Sequence, residues 1–339
     1  MSSKQNNIKP NAPKVSVGIP VYNAECYIEL AIESVLSQTF ADFELIISDD
    51  RSTDGTEKII RSFQDPRIRY IKNEDNKFKA PGNFNNCIDH SRGEYVYIFH
   101  ADDLMFPNNI EKKVKVLDDY PNVGMVHSNI FQIDKSGNVL DTHWAKKYAD
   151  DYVIPGREYF GQLFREGNLV CAPSVLMRKK CYETFGGFDL ELPHACDWEM
   201  WLRTSLFYDV AYLTEPLVGY RFHEAMDTNN YKGGIGGLEQ NFSARMTLLR
   251  KYPNKIENVK NLKRDITSWA VKWATSKIYD LFDSNHYTEA EEYLMFILKI
   301  SPSSFFDSRI MRLLIKFLLG NKAVSRIRKL KTSSRVSHE

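Results

Sequence analysis

The stretch GEYVYIFHADD, residues 93–103, constrains the fold most, because an apolar run in it ends directly at two adjacent acids. The run from Tyr95 to Phe99 has no polar alternation and is rich in aromatic and β-branched residues, which is typical of a strand buried on both faces. Such strands lie in mainly parallel sheets that helices cover on both sides. Because open α/β sheets bind ligands at the carboxyl ends of their strands, Asp102 and Asp103 lie where such a sheet places its chemistry.

Two adjacent carboxylates repel each other unless a cation or several hydrogen-bond donors neutralise them. One interpretation of Asp102 and Asp103 is therefore a divalent metal that carries a phosphorylated ligand, since Mg²⁺ is commonly held by a few carboxylates together with substrate phosphates. The alternative is a loop in which the acids cap the next helix or form an Asx-turn. The choice between the two depends on the rest of the chain.

Strand and helix patterns alternate along the first half of the sequence. Apolar runs of strand length are each followed by apolar residues at helical spacing, and this order predicts a right-handed, doubly wound parallel sheet. After the acid pair we expect a helix that begins at Pro107 and another that begins at Asp197. The expected strands are Val15 to Pro20, Phe43 to Ser48, Ile68 to Ile71, Tyr95 to Phe99, Val123 to Ile133 and Ser174 to Met177.

Composition limits the class of protein. A chain of 339 residues that is 43% hydrophobic can bury a substantial core in one large domain or two. The formal net charge of +1 gives no overall field that would attract nucleic acid. The five cysteines are scattered without CxxC spacing, which argues against a disulfide framework or a structural zinc site. With a polar N-terminus and no run of about 20 apolar residues, the sequence predicts a cytoplasmic protein.

Two common nucleotide-binding classes are disfavoured by the loop after the first strand. That loop reads PVYNAE and contains neither GxGxxG nor GxxxxGK[ST], so neither a dehydrogenase nor a P-loop enzyme is expected. A nucleotidyltransferase would need a glycine-rich, basic triphosphate loop here. The only glycine cluster, residues 233–237, is predicted to be a flexible loop.

Several segments together resemble one family. VSVGIPVYNAE, FELIISDDRSTDGT and GEYVYIFHADD, followed by FGGFDLELPHACDWEMWLR and YRFHEA, are similar in order and spacing to family 2 glycosyltransferases of the GT-A fold, over Lys14 to His223. The resemblance implies metal-dependent, inverting transfer from a nucleotide-diphosphate donor to a glycan or lipid-linked acceptor in surface polysaccharide synthesis, with Mn²⁺ or Mg²⁺ as cofactor. The absence of a QxxRW motif and of membrane spans argues against a processive synthase.

The resemblance also assigns donor-side residues. Asp50 matches the acid that accepts a hydrogen bond from the uracil imide nitrogen, which favours a uridine or thymidine donor. A helix cap is the alternative for Asp50, but Ser52 and Asp54 already supply caps, so Asp49 and Asp50 exceed that need. Tyr22 offers a ring for base stacking, or is a buried loop aromatic. The residues expected to line the nucleotide pocket are Pro20, Tyr22, Asn23, Glu25 and Asn83.

The acid motif departs from the family's commonest form. Family members often read Asp-x-Asp-Asp, whereas this chain reads His100, Ala101, Asp102, Asp103. The resemblance places Asp102 near the ribose and the metal, and Asp103 on the metal and the diphosphate. His100 contacts the ribose, binds the metal or fills the strand end. His223 matches a position that supplies a metal or diphosphate contact, with a structural histidine as the alternative.

Asp197 matches the family's general base, and Cys196 stands where an acid usually precedes it. A base must lie within hydrogen-bond reach of the acceptor hydroxyl, and a helix start holds one rigidly. The alternative is an N-cap aspartate. Glu199 is a weaker candidate, expected to orient its neighbours. The departures at His100 and Cys196 keep a second function open, a nucleotide-sugar-binding protein without transfer activity.

We expect three regions. Residues 1–13 form a disordered tail, residues 14–230 a GT-A domain with a nucleotide-sugar half (14–133) and an acceptor half (134–230), and residues 231–339 a helical region. The basic, amphipathic segment from Phe305 to Arg335 either docks on anionic lipid, as a peripheral protein of the inner membrane face, or packs as a helix with a solvated basic face.

Overall fold

The computed structural model describes residues 12–74, 80–141, 148–224, 226, 229, 231 and 234–317. The expected tail therefore lies almost wholly outside the described residues. Within them one sheet carries the strands β1 (Val15–Val21), β2 (Phe43–Asp49), β3 (Ile68–Lys72), β4 (Tyr95–Ile98), β5 (Leu104–Met105), β6 (Val123–Ile133), β7 (Val139–Asp141), β8 (Tyr152–Ile154), β9 (Leu176–Arg178) and β10 (Asp209–Arg221).

The helices flank this sheet and then form a separate C-terminal group. They are α1 (Ile28–Leu36), α2 (Thr56–Ser62), α3 (Ala80–His90), α4 (Asn109–Asp119), α5 (Gly156–Glu166), α6 (Lys179–Phe185), α7 (Cys196–Ser205), α8 (Ile235–Lys251), α9 (Val259–Asp283) and α10 (Tyr287–Ile300). Residues 308–317 are also helical.

The sheet is mostly parallel, which confirms the predicted α/β class. Its order is β3-β2-β1-β4-β9-β6-β10-β5, with β7 beside β6 and β8 beside β10. β1 runs parallel to β2 and β4, and β6 runs parallel to β10. β9 departs from the parallel arrangement of the central strands, since it runs antiparallel to both β4 and β6. Because β9 starts beside Tyr97 and ends beside Tyr95, the segment that precedes it lies towards the carboxyl end of β4.

Three short elements differ from the expected ones. The predicted strand at Ser174 to Met177 is a 3-10 turn at Ala172–Ser174 followed by β9. Residues 141–155, which lack periodicity, contain β8 and the end of β7, while residues 142–147 lie outside the described residues. Strands of three residues are too short to show a period of two, which is why the pattern missed them.

The core of the sheet is built from the strands whose sequences predicted burial. β1, β2 and β4 are buried along almost their whole length. On α1 the buried residues Ile28, Ala31, Ile32 and Val35 share one helical face. Gly18 of β1 lets α3 approach closely, because a Cβ there would lie 2.6 Å from the Cβ of Cys87.

The chain divides into two compact units, residues 1–230 and 231–339. In the second unit, small and branched residues of α9 such as Ala270, Ala274 and Ile278 are fully buried with Ile297 of α10. The loop predicted for residues 233–237 was wrong where the structure describes it, since α8 begins at Ile235. Among the described residues, no helix combines the length and the hydropathy needed to cross a membrane.

A buried carboxylate ties the amino ends of the strands together. Glu44 of β2 is 3% exposed and accepts hydrogen bonds from Ser16 Oγ at 2.7 Å and from Arg69 Nη1 at 2.7 Å. It also accepts from the backbone N–H of Arg92 at 2.9 Å and from Arg92 Nε at 2.9 Å. One side chain thus joins β1, β2, β3 and the turn before β4.

We expect Glu44→Ala to lower the free energy of unfolding by about 2 kcal/mol, since charge-assisted hydrogen bonds are lost and their donors are left without a partner. Urea denaturation measures the change. Glu57→Ala is the matched control, because Glu57 also holds two cations, Arg61 and Lys72, but on the exposed surface, where such pairs contribute little. Equal shifts of the urea midpoint in both variants would contradict this role of Glu44.

Candidate active site

The acid pair lies at the carboxyl end of β4, where the chain leaves the sheet. After the buried residue Phe99, one ligand atom from each of His100, Asp102 and Asp103 lies within 4.8 Å of the others. The chain returns to the sheet at once through β5, which pairs with β10. The acids are therefore held between two strand connections and not on a free loop.

Asp103 is the buried member of the pair, with 1% of its surface exposed. Its Oδ1 accepts the backbone N–H of Arg221 at 2.8 Å. Its Oδ2 is buried and accepts no hydrogen bond from the part of the chain that the structure describes, and His100 Nδ1 lies 3.7 Å away. Burial and the charge of Asp102 raise the pKa of Asp103 well above its usual range. An ionised Asp103 thus requires a further positive charge.

Asp102 differs from Asp103 in its partner. Its Oδ2 contacts His223 Nε2 at 2.9 Å, and the His223 ring lies 4.9 Å from that of Tyr27. Burial raises the pKa of Asp102, but the hydrogen bond with His223 and the proximity of His100 outweigh that effect and lower it. His100 is one of the three residues that could bind a metal ion together. His223 is not in that group and contacts Asp102 instead. A direct contact between His223 and a metal therefore stays a prediction.

Arg221, which the sequence analysis missed, fixes the backbone around the acids. It is 1% exposed; its Nε donates to the carbonyl oxygen of Asp102 at 2.6 Å, and its Nη1 donates to those of Asp134 and Lys135 at 3.1 Å. The guanidinium also lies 4.9 Å from the centre of the Tyr27 ring. An arginine near the end of an apolar strand, in VGYRFH, was the signal that could have identified it.

The loop after β1 is joined to the loop after β2 by side chains that were expected to bind nucleotide. Asn23 Oδ1 accepts the backbone N–H of Thr53 at 2.8 Å, and Glu25 Oε2 accepts that of Gly55 at 2.6 Å. Asn23 adopts a left-handed backbone with φ 50°, which asparagine tolerates. Both side chains therefore shape the loop. Pro20 lies in β1, and Tyr22 is half exposed, so its ring faces solvent.

The two acids after β2 have different environments. Asp49 Oδ1 accepts the backbone N–H of Ser52 at 2.8 Å, and its Oδ2 accepts the hydroxyl of Tyr70 at 2.7 Å. The idea that Asp49 exceeds structural need was therefore wrong. Asp50 is 3% exposed and its Oδ1 accepts Asn73 Nδ2 at 3.3 Å. An amide and a carboxylate thus lie side by side at the end of β2.

A cluster of amides holds Asn73 in place. Asn83 Nδ2 donates to the carbonyl oxygen of Ser48 at 2.9 Å, and Asn86 Nδ2 donates to Asn73 Oδ1 at 2.8 Å. With its Oδ1 engaged, Asn73 directs its NH₂ group towards Asp50. Asn83 thus supports the loop from inside the protein, and the sequence analysis did not identify Asn73 or Asn86.

Asp197 is the second residue of α7, whose N-cap is Ala195, so Asp197 is not the N-cap of this helix. Its Oδ1 accepts the N–H of Trp198 at 2.6 Å, and its Oδ2 accepts Asn168 Nδ2 at 2.9 Å. Burial raises the pKa of Asp197 to about 6. Its carboxylate is therefore a stronger base than an ordinary aspartate while remaining ionised at neutral pH.

The thiol of Cys171 lies within the electrostatic influence of both Asp103 and Asp197. Burial raises the pKa of the Cys171 thiol well above its usual range, and the negative charges of Asp103 and Asp197 raise it further. Cys171 precedes the 3-10 turn that leads into β9. The antiparallel direction of β9 thus brings the acid pair and the start of α7 towards one another.

Glu199 orients a neighbouring side chain, as expected. It is buried, and its Oε2 accepts Arg203 Nη2 at 2.8 Å. Arg203 also donates to the carbonyl oxygens of Phe185 at 2.6 Å and Gly187 at 2.7 Å, which closes the turn before α7. Gly186 adopts φ 88° within that turn, where a Cβ would be strained.

The cluster of His100, Asp102 and Asp103 fits a divalent cation. Two carboxylates are the ligands that Mg²⁺ and Mn²⁺ prefer, and one imidazole is compatible with a transition metal such as Mn²⁺. The buried Asp103 Oδ2, which has no donor among the described residues, would gain a partner.

The model of the family "Glycosyl transferase family 2" matches residues 16–186. EpsE of Bacillus subtilis is 30% identical over 221 residues, which are 64% of this chain and 72% of EpsE. A Campylobacter jejuni protein named GalNAc(5)-diNAcBac-PP-undecaprenol beta-1,3-glucosyltransferase is 32% identical over 185 residues, or 53% of this chain and 58% of that protein.

Solved structures share the fold at low sequence identity. S. aureus TarS 1-349 in complex with UDP-GlcNAc has a TM-score of 0.64 at 15% identity and covers 85% of this chain and 81% of its own. The mannosyltransferase PcManGT of Pyrobaculum calidifontis, in complex with GDP-Man and Mn²⁺, has a TM-score of 0.53 at 18% identity. The match covers 91% of this chain and 87% of PcManGT.

We expect Asn168→Ala to raise the pKa of Asp197 above about 6, because the hydrogen bond from Asn168 favours the ionised carboxylate. An NMR titration of ¹³C-labelled aspartate side chains measures the change. Asn138→Ala is a matched control, since Asn138 Nδ2 likewise donates to an aspartate, Asp134, at 3.0 Å on the surface. A fall in the pKa of Asp197 in the Asn168 variant would contradict the assignment.

Proposed function

The chain belongs to glycosyltransferase family 2, and from this membership and the geometry of its acids we propose that it is an inverting, metal-dependent enzyme that uses a nucleotide-diphosphate sugar. The observation that carries the proposal is the buried Asp103 at the end of β4, whose Oδ2 accepts no hydrogen bond within the described residues. A divalent cation bound beside it would stabilise that charge and would also attract a diphosphate.

We propose a uridine or thymidine donor. Asp50 and Asn73 lie side by side at the end of β2, so a carboxylate acceptor and an amide are available to the edge of a base. Uracil and thymine both present an imide N–H next to carbonyl oxygens, which matches this pair. The Tyr22 ring, half exposed after β1, is positioned for stacking. Among the similar structures, TarS binds UDP-GlcNAc and PcManGT binds GDP-Man, so the fold itself accepts either base.

Asp103, Asp102 and His100 would hold a Mn²⁺ or Mg²⁺ ion. The ion, when bound, supplies positive charge beside the diphosphate of the departing nucleotide. Asp103 Oδ2 has no competing partner among the described residues, whereas His223 orients Asp102. Arg221 donates from its Nε to the carbonyl oxygen of Asp102 and from its backbone N–H to Asp103 Oδ1, which keeps both acids in place.

Asp197 would act as the general base. As its carboxylate takes the proton of the acceptor hydroxyl, the hydroxyl oxygen forms a bond to the anomeric carbon. The bond from that carbon to the diphosphate oxygen breaks, and the nucleoside diphosphate leaves with the electron pair. One displacement of this kind inverts the anomeric configuration. The pKa of about 6 suits a base that works near neutral pH.

The acceptor side is proposed to lie in residues 134–230 and the donor side in residues 14–133. The name of the C. jejuni relative describes transfer to an undecaprenol-linked saccharide. We propose that this chain likewise uses a glycan or lipid-linked acceptor in surface polysaccharide synthesis, at the cytoplasmic side of a membrane and in peripheral contact with it.

The alternative of a binding protein without transfer activity rests on His100 and Cys196, where the family often has acids. The Cys196 side chain is buried, with its Sγ 4.0 Å from the carbonyl oxygen of Pro193. A side chain at this position therefore does not have to face the acceptor. His100 supplies a possible metal-ligating nitrogen in the position of the missing acid. Both departures are compatible with an active enzyme.

We expect Mn²⁺ to increase the thermal stabilisation of the protein by UDP, and Asp103→Asn to remove most of that increase, because a neutral amide no longer attracts the ion. Thermal shift with UDP in Mn²⁺ or in excess chelator measures it, since ligand binding to the native state raises stability by RT ln(1 + [L]/Kd). Asp119→Asn, an exposed acid of α4, is the control. An undiminished Mn²⁺ effect in Asp103→Asn would contradict the metal assignment.

We expect Asp197→Asn to reduce sugar transfer by roughly two or more orders of magnitude, the scale at which general bases contribute, while the melting temperature and UDP affinity stay near those of the parent. The wild-type rate should fall as the pH drops below about 6, because protonation removes the base. Glu191→Gln, a nearby carboxylate in the preceding loop, is the control. An Asn variant that transfers at the parental rate would contradict the role of Asp197.

A further inference from the structure

The second unit exposes a set of large apolar side chains near the end of the described structure. They are Phe305 (45% exposed), Phe306 (85%), Met311 (37%) and Ile315 (46%), and we name them the C-terminal apolar surface. The rings of Phe305 and Phe306 lie 5.6 Å apart. Met311 and Ile315 are four residues apart and so share one side of the helix at 308–317. Single exposed apolar residues are ordinary, but a group of four indicates an interaction site.

The opposite side of the same helix is packed into the protein. Ile310 and Leu313 are buried in a core with Leu281 and Phe282 of α9, and Phe317 packs against that core. The helix at 308–317 thus has one packed face and one exposed apolar face. The helix is held by its inner face, so its outer side chains Met311 and Ile315 are exposed by the fold and not by fraying.

The charges around this surface are almost all positive. Arg312 is exposed, and Arg309 pairs with Asp307 at 3.0 Å. From Ser308 to Arg335 the sequence contains nine of the 45 basic residues and none of the 44 acidic ones. The remainder of the chain therefore has 36 basic and 44 acidic residues, a net charge of −8. The net charge of the whole chain, +1, does not reveal this difference between the basic end and the acidic remainder.

We propose that the C-terminal apolar surface binds an anionic lipid bilayer. Phe305, Phe306, Met311 and Ile315 enter the boundary between headgroups and acyl chains, and the neighbouring cations pair with lipid phosphates. A nucleic acid would use the cations but leave Met311 and Ile315 without a role. A second copy of the chain would bring two sets of like charges, Arg309, Arg312 and Lys316 in each copy, close together, which opposes association.

Docking would bring the proposed transferase to a lipid-linked acceptor, and in that respect the inference rests on the proposed function. The binding itself requires neither nucleotide nor acceptor. Vesicle binding and sugar transfer therefore fail independently, and each can be measured without the other.

Co-sedimentation of the full-length protein with sucrose-loaded vesicles tests the proposal. We expect binding to phosphatidylcholine vesicles that contain phosphatidylglycerol in about 0.1 M salt, release in about 1 M salt, and no binding to phosphatidylcholine alone. The double variant Phe305→Ser, Phe306→Ser should bind anionic vesicles about tenfold or more weakly, because two aromatic side chains no longer leave water. Tyr120→Ser, which removes a half-exposed aromatic ring of the first unit, should bind like the parent.

A second variant tests the charges without changing the described residues. Substitution of Arg326, Arg328, Lys329 and Lys331 by glutamine should also weaken binding to anionic vesicles. Retained circular dichroism and UDP binding show that both variants are folded. Absence of vesicle binding by the parent in low salt, or equal binding by the parent and the phenylalanine double variant, would overturn the proposal. Binding to single-stranded RNA without binding to vesicles would overturn it as well.

Discussion

The burial of Asp103 is the constraint on which the candidate site depends. One of its oxygens is satisfied by the backbone of β10, and the other is buried with no hydrogen-bond donor among the described residues. An ionised carboxylate in that position is costly unless a cation is close. The surrounding structure holds this arrangement in place, since Arg221 at the end of β10 donates to the carbonyl oxygen of Asp102 just before β5 and to two carbonyl oxygens just after β6. A rigid, electrostatically incomplete position is suited to a ligand that completes it.

The direction of β9 connects this position to Asp197, the proposed general base. Because β9 runs antiparallel to β4, the preceding segment with Asn168 and Cys171 lies towards the carboxyl end of β4. Asn168 then contacts Asp197, and the Cys171 thiol is influenced by both Asp103 and Asp197. Arg203 holds the later part of α7 to the carbonyl oxygens of Phe185 and Gly187. The positions of Asp103 and Asp197 are thus linked by one short reversal of the chain.

The sequence predicted the strands that end in functional acids, because long apolar runs and the acids that follow them are local signals. It could not predict the contacts between distant residues, so it missed Arg221, Asn73, Asn86 and Asn168. Asn86, for example, contacts Asn73 across 13 residues of the chain, and Arg221 contacts Asp102 across 119. The assignment of Asn23 and Glu25 to the ligand stays a prediction, and the sequence did not indicate that their side chains also hold two loops together. The basic segment beyond residue 317 lies outside the described residues, and its role depends on the inference drawn from the helix before it.

The most direct test of the central claim is a crystal structure of the protein with UDP and Mn²⁺. The account predicts the uracil imide against Asp50, with Asn73 alongside, and the ion between the diphosphate and the carboxylates of Asp102 and Asp103. Asp197 should then face the space beyond the diphosphate in which the sugar of a donor would lie. A nucleotide bound elsewhere on the sheet, or a diphosphate that does not approach Asp103, would contradict the account.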